Sequence, residues 1–272
     1  MHKLEEQRTS MERRPETRDI MEVVQVVSRA LDNADAIARQ YFLEGVAIER
    51  KSDGSPVTIA DRSIEGLLRK ELLESYPDDS ILGEEYGIAV GSSEYQWILD
   101  PLDGTRSFVN GRTDWGILVG LMYRGTPVFG AISQPIKRER LWGDGRHACF
   151  NSIYLETNPP PVSLAESVVL TTDVSTYHQF ASRERLDSLV GQCKALCSLG
   201  NCYGYLMVAT GKAQIMLDPI MAPWDLLPLI PIMTGAGVSI TGFQGENPIG
   251  ANSTVAAARH IHGKVISILN GR

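Results

Sequence analysis

The stretch Trp97–Phe108, WILDPLDGTRSF, holds two aspartates three residues apart, Asp100 and Asp103, with Pro101 between them and Gly104-Thr105 directly behind. Apolar residues lead into it, so the chain reads as leaving a buried strand and turning sharply. Further acids stand at strand ends or helix starts: Asp61 in VTIAD, Glu84-Glu85 in LGEEYG and Asp225 in APWDLL. Any one of them alone is what a turn or a helix start prefers, and an aspartate before glycine is ordinary turn chemistry. Together they make a set of hard oxygen donors suited to Mg²⁺, Mn²⁺ or Ca²⁺. Two aspartates on a proline-stiffened turn can aim at ions on either side. A carboxylate bridging two cations about 3.5–4 Å apart is a common device for in-line displacement at phosphorus. The alternating D-x-D-x-D-G loop of a calcium-binding hand is absent from the sequence.

Something must hold these acids in place. Apolar residues from Ile20 to Tyr41 recur at helical spacing on one side, which predicts a first helix over 20–43. A turn-rich connector, ERKSDGSPVTIAD, leads to a second helix with Ile64, Leu67, Leu68 and Leu72 on one face. Thr58 is placed to N-cap it, with Asp61 three residues on, where a carboxylate is favoured. From residue 80 the period shortens to that of strands: QWILD, WGILVGLMY, TPVFGAIS and ERLWG, with Arg124-Gly125 as a tight turn. NPPPVS at 158–163 is the candidate boundary between two lobes. Beyond it we expect a strand near 167–171, helices near 178–192 and 202–211, the strand QIMLD, a Trp-Asp helix from about 224 and a strand-to-helix passage in STVAAARH. The mixed order predicts an α+β or layered α/β fold.

The 272 residues suffice for one large domain or two packed lobes, with 43% hydrophobic and 22% charged residues. A net charge of −7 argues against a nucleic-acid or membrane-surface binder, since both want a basic face. An anionic ligand stays open, because bound cations reverse the local sign. The sequence shows neither an eighteen-residue apolar run nor, at its start, the apolar core of a secretory signal, so we expect a cytoplasmic protein with no membrane span. The four cysteines include Cys193 and Cys197, which would share a helix face if CKALC were helical; reduced thiols are the simpler reading. The five histidines form no constellation, and HIH near the C-terminus reads as surface.

WILDPLDGTRSFVNG resembles the first signature of the inositol monophosphatase family of Mg²⁺-dependent phosphatases, and PWDLLPLIPIMTGAGV resembles its second. GEE and KSDGSPVTIAD fit the family's order and spacing, so the resemblance runs from about residue 20 to the C-terminus. It implies an α/β fold of sugar-phosphatase type, layered α-β-α-β-α, with mixed and largely antiparallel sheets. It divides the chain into a flexible charged tail (1–18), an N-terminal lobe with most metal ligands (19–157) and a C-terminal lobe with Asp225 and substrate selectivity (158–272). It implies two or three Mg²⁺ ions per site, with Mn²⁺ as a substitute and Li⁺ and Ca²⁺ inhibitory. Glu84, Asp100 and the Leu102 carbonyl would hold a first ion, and Asp100, Asp103 and Asp225 a second. Thr105, oriented by Asp61, would bond the attacking water, and the N–H groups of Gly104 and Thr105 would hold phosphate oxygens. Glu85 and Lys51 would stand close behind the ligands.

Within the family, the branch acting on histidinol phosphate is the most similar. GTPVFGAISQPIKRERLWG and GNCYGYLMVATG look like runs of that branch, and Pro231 is similar too. The resemblance thus implies a histidinol-phosphate phosphatase of histidine biosynthesis, a homodimer acting on a small phosphate monoester without nucleic acid or membrane. An inositol-1-phosphate or other small polyol or sugar phosphate phosphatase is the alternative, and a non-catalytic metal- or phosphate-binding regulator a remote one. Three positions depart from the pattern. Asn201 replaces an aspartate suited to a cationic substrate group, Asp218 a longer glutamate, and Pro228 a small or polar residue. Asn201 and Asp218 are therefore the candidate selectivity residues.

Overall fold

The computed structural model describes residues 18–50, 56–156, 161–174 and 183–272. The expected tail lies outside the described residues except for Arg18, and Lys51 lies outside them as well. So do part of the expected lobe boundary, 158–160, and the first part of the expected helix near 178–192, up to 182.

Helix α1 (Ile20–Glu44) is capped by Asp19, whose carboxylate accepts the Met21 N–H at 2.8 Å. Its stripe Val23, Val27, Leu31, Ala34 and Ala38 is buried. Strands β1 (Ile48–Arg50) and β2 (Pro56–Thr58) pair antiparallel and feed α2 (Ile59–Ser75), which packs along α1. The Thr58 cap forms as a capping box with Asp61.

Eight strands form the first sheet: β3 (Ser80–Gly83), β4 (Gly87–Ala89), β5 (Tyr95–Asp103), β6 (Gly116–Tyr123), β7 (Thr126–Gln134), β8 (Glu139–Gly143), β9 (Ala148–Phe150) and β10 (Ile153–Tyr154). They lie in the order β10-β9-β8-β7-β6-β5-β3-β4, and only β3 and β5 run parallel. Short helix α3 (Thr105–Val109) leaves the end of β5. The second part comprises β11 (Val168–Thr171), α4 (Arg183–Val190), β12 (Ala195–Ser198), α5 (Asn201–Ala209), β13 (Ile215–Asp218), α6 (Pro223–Leu226), α7 (Leu229–Gly235), β14 (Val238–Thr241), β15 (Thr254–Ala258) and α8 (Arg259–Leu269). Its five strands are ordered β12-β11-β13-β15-β14, with parallel pairs on both sides of β11.

Strand alternation stacks these pieces into α-β-α-β-α layers. Trp97, Leu99, Ile117 and Val119 face α1 and α2, while Leu118, Ile132 and Leu141 face α5 and α7. Leu170, Met216 and Ala256 close that middle layer from the second sheet. The opposite residues Val169, Ile215, Leu217 and Val255 pack on α4 and α8. None of the described helices is long and apolar enough to cross a membrane.

The charged stretch 137–140 anchors β8 to the first helix. Arg140 bonds the Ser28 carbonyl at 3.1 Å, Asp32 at 2.9 Å and Asp35 at 2.9 Å, tying α1 to β8. CKALC is not helical: Ala195–Ser198 is strand β12, so Cys193 and Cys197 share no helix face, and all four cysteines are free thiols. HIH is not all surface either, since His262 is buried against Thr241 at 3.1 Å.

Pro228 has a physical explanation. Gly120, Gly130 and Gly143 stand side by side across β6, β7 and β8. A Cβ on Gly130 would lie 1.8 Å from the Pro228 carbonyl oxygen, and one on Gly143 would lie 2.6 Å from the Ile232 Cα. This row of glycines is a trench in which the backbone entering α7 lies against the sheet. The short Trp-Asp helix α6 is C-capped by Leu227 and Pro228 is the N-cap of α7, so the helix expected from about 224 is two pieces.

Candidate active site

Burial of β5 brings Asp100 to the interior at the strand's end, where it is 1% exposed. The Leu102 N–H donates to Asp100 Oδ1 at 2.9 Å, which fixes the carboxylate inside its own turn. After Asp103 the chain reverses at Gly104 with φ 93°, a conformation that favours glycine, and a Cβ there would lie 2.6 Å from Asn201 Nδ2. Asp225 arrives from α6, where its carboxylate accepts the Ala222 N–H at 3.0 Å.

Asp100, Asp103 and Asp225 each place one carboxylate oxygen within 4.8 Å of the others, and they are the acidic cluster able to hold a metal among the described residues. Burial, and then the charges of Glu84, Asp103 and Asp225, push the Asp100 carboxyl well above its ordinary range. Burial and then Asp225 do the same to Asp103, against the opposing hydrogen bonds of Cys202. Acids crowded this way resist ionisation unless cations compensate them. The donor set is all oxygen, so it fits a hard cation such as Mg²⁺. Glu84 lines the same cleft of about 530 Å³ with Gly104, Thr105, Arg106, Asn201 and Asp225.

The Thr105 hydroxyl lies 3.2 Å from Asp61 Oδ1 and 3.1 Å from the Leu102 carbonyl oxygen, and its single proton can go to either acceptor. The second Asp61 oxygen accepts the N–H and the hydroxyl of Thr58, both at 2.7 Å. Asp61 is fully buried, and this burial raises its pKa against the hydrogen bonds from Thr58 and Thr105.

Asn201 and Asp218 line a smaller cavity of about 110 Å³ with Asp103, Thr172, Tyr205 and Asp225. The Asn201 amide donates to the Asp114 carbonyl at 3.0 Å and to Ser107 Oγ at 3.4 Å. Asp218 accepts the Tyr205 hydroxyl at 3.0 Å and the Thr172 N–H at 3.3 Å, and burial raises its pKa to about 7. Tyr205 also bonds Thr254, the cross-strand neighbour of Asp218.

Sequence reasoning missed Glu65. Fully buried, it accepts the N–H groups of Glu85 at 2.7 Å and Tyr86 at 3.2 Å, and Arg69 Nε at 2.7 Å. It therefore shapes the turn that carries Glu84 and Glu85. The signal was its place one helical turn after Asp61, among Ile64 and Leu68 on the apolar face.

Comparison with known proteins places the chain in a family. The sequence pattern of the inositol monophosphatase family matches residues 19–271, and the chain belongs to that family. It is 35% identical to the chloroplastic bifunctional phosphatase IMPL2 of Arabidopsis thaliana, over 85% of this chain and 68% of that protein. It is 31% identical to a histidinol-phosphatase of Mycobacterium tuberculosis, over 88% of this chain and 94% of that one. Its structure is similar to that of an inositol monophosphatase from Zymomonas mobilis, with TM-score 0.81 and 29% identity, over 93% of this chain and 100% of that chain. The chain is a phosphoric monoester hydrolase of mixed α/β fold.

Proposed function

We propose that the chain is a Mg²⁺-dependent phosphatase whose leading substrate is histidinol phosphate. The observation that carries the reaction is the Thr105–Asp61 pair at 3.2 Å beside the triad Asp100, Asp103 and Asp225. The substrate rests on the similarity to the histidinol-phosphatase of M. tuberculosis. Glu84, Asp100, Asp103, Asp225 and the Leu102 carbonyl would hold the metal, with Glu85 behind them. When bound, Mg²⁺ supplies Lewis-acid stabilisation of phosphate charge and a water of lowered pKa.

The chain's own residues supply orientation. Thr105 spends its proton on Asp61, which leaves its oxygen lone pairs to accept from the attacking water. Thr58 fixes Asp61 from the far side, so the hydroxyl has a set direction before substrate arrives. The N–H groups of Gly104 and Thr105, at the start of α3, receive phosphate oxygens. Asn201 and Asp218 border the space for the leaving alcohol. From the family resemblance of the sequence, we propose further that the protein acts in the cytoplasm as a homodimer, with Mn²⁺ able to replace Mg²⁺ and Li⁺ and Ca²⁺ inhibitory.

A second reading, hydrolysis of inositol 1-phosphate or another small polyol phosphate, is favoured by the likeness to the Zymomonas mobilis protein. Phosphate release should be measured over histidinol phosphate, inositol phosphates, sugar phosphates and nucleotide 3′-phosphates, with Mg²⁺, with EDTA and with Li⁺. Turnover of histidinol phosphate that stops in EDTA is expected. Turnover surviving EDTA sinks the metal chemistry, and turnover of inositol phosphate alone replaces the substrate.

A further inference from the structure

Asp103 stands at the end of a strand of the first sheet, yet what holds its carboxylate belongs to the other half of the chain. We infer that Cys202 is a positioning residue for Asp103, acting through its backbone N–H and its thiol together. The inference rests on reading Asp103 as a metal ligand.

The Cys202 N–H, in the first turn of α5, donates to Asp103 Oδ2, and the thiol of the same residue favours the charged form of that carboxylate. Behind the sulfur, Gln134 Nε2 lies 3.5 Å away and donates to it. Cys202 and Gln134 are both 1% exposed, so the sulfur and the amide behind it are shielded from solvent. The space they need is kept open by Gly116: a Cβ there would lie 2.8 Å from Cys202 Sγ and 2.9 Å from Gln134 Nε2. The relay thus runs from β7 through α5 to the end of β5.

Its register is held on both sides. Asn201, next to Cys202, adopts φ 51°, and its N–H donates to Thr172 Oγ1 at 2.9 Å while its side chain grips the Asp114 carbonyl. A non-glycine residue held in the left-handed region by three such bonds fixes the start of α5. The Asp103 carboxylate is therefore oriented before a cation arrives, and the thiol is the part of this arrangement that a side-chain change can remove. Groups that orient metal ligands in this way commonly set affinity rather than fold.

The test is Mn²⁺ binding, followed by the electron paramagnetic resonance signal of the free ion, with melting of the metal-free protein as the check on folding. Cys202→Ala should weaken Mn²⁺ binding by about 10- to 100-fold, and Cys202→Ser, which keeps a donor, should restore most of it. Gln134→Met should weaken binding in the same direction, by less. Wild-type affinity in Cys202→Ala, or equal losses in the alanine and serine variants, overturns the inference. If Cys202→Ala does not fold, Gln134→Met decides, and unchanged affinity there overturns it. A wild-type protein that binds no Mn²⁺ overturns the metal reading itself, a result distinct from these.

Discussion

Asp61 Oδ1 accepts the Thr105 hydroxyl at 3.2 Å, joining the start of α2 to a turn 44 residues further along the chain. The opposite oxygen of Asp61 is committed to Thr58, so the carboxylate cannot rotate away. Asp61→Asn keeps the shape but can turn a donor toward Thr105, and kcat should fall by about 10²–10⁴-fold with an unchanged melting temperature. Thr105→Ser should keep most of the rate and Thr105→Ala should lose it, as steady-state phosphate release will show.

The crowded carboxyls give the metal-free protein a pH dependence of known sign. Asp100 and Asp103 are raised, and Asp218 moves from 3.8 to about 7. A carboxyl with a raised pKa holds its proton longer in the folded than in the unfolded state. Its contribution to stability is complete below the unfolded pKa and is lost as pH rises through the folded one. Melting temperature in EDTA should therefore drop between about pH 4 and about pH 7, less steeply in Asp218→Asn, and added Mg²⁺ should restore it. A flat profile in EDTA would count against the burial of these groups.

Asp103→Asn removes one repelling charge and keeps an oxygen able to accept the Cys202 N–H. The metal-free variant should melt higher than the wild type while its activity disappears, the exchange of stability for function expected at a strained acidic site. Differential scanning calorimetry in EDTA and the phosphate-release assay test the two halves separately.

Glu65→Ala leaves the Arg69 guanidinium without its carboxylate and the Glu85 and Tyr86 amides without their acceptor. Breaking a buried pair in this way costs about 3–5 kcal/mol, readable as a lower denaturant midpoint. The freed turn should also raise the Mg²⁺ concentration needed for half-maximal activity.

Gly130→Ala drives a methyl group to 1.8 Å from the Pro228 oxygen. The backbone must shift, at about 1–3 kcal/mol or more. Because Pro228 follows Asp225 by three residues, the shift should also weaken metal binding. Urea denaturation together with Mn²⁺ titration tests both effects.

What could be read in the sequence was local. The Thr58–Asp61 box and the stripe of α1 depend on residues three or four apart, so their pattern is visible without the fold. The candidate acids were singled out because each stands at a strand end or a helix start. Glu65 escaped notice because its partners at 85 and 86 lie twenty residues away, and spacing alone does not pair them. The parallel partners of β11 were equally hidden: Cys193 and Cys197 fit a helical period, and only pairing with β11 makes their stretch a strand. Gly120, Gly130 and Gly143 look scattered until the hairpin registers align them.

That aligned row bears on how the enzyme matures. Asp100 and Asp103 come from the end of β5, an interior strand of the first sheet, but Asp225 comes from α6, whose continuation into α7 lies in the glycine trench. A nascent chain that has folded only its first 150 residues displays two of the three acids and lacks the third. On the proposed function, Mg²⁺ would bind weakly to such a fragment and tightly to the finished molecule, which would tie metal loading to completion of the fold.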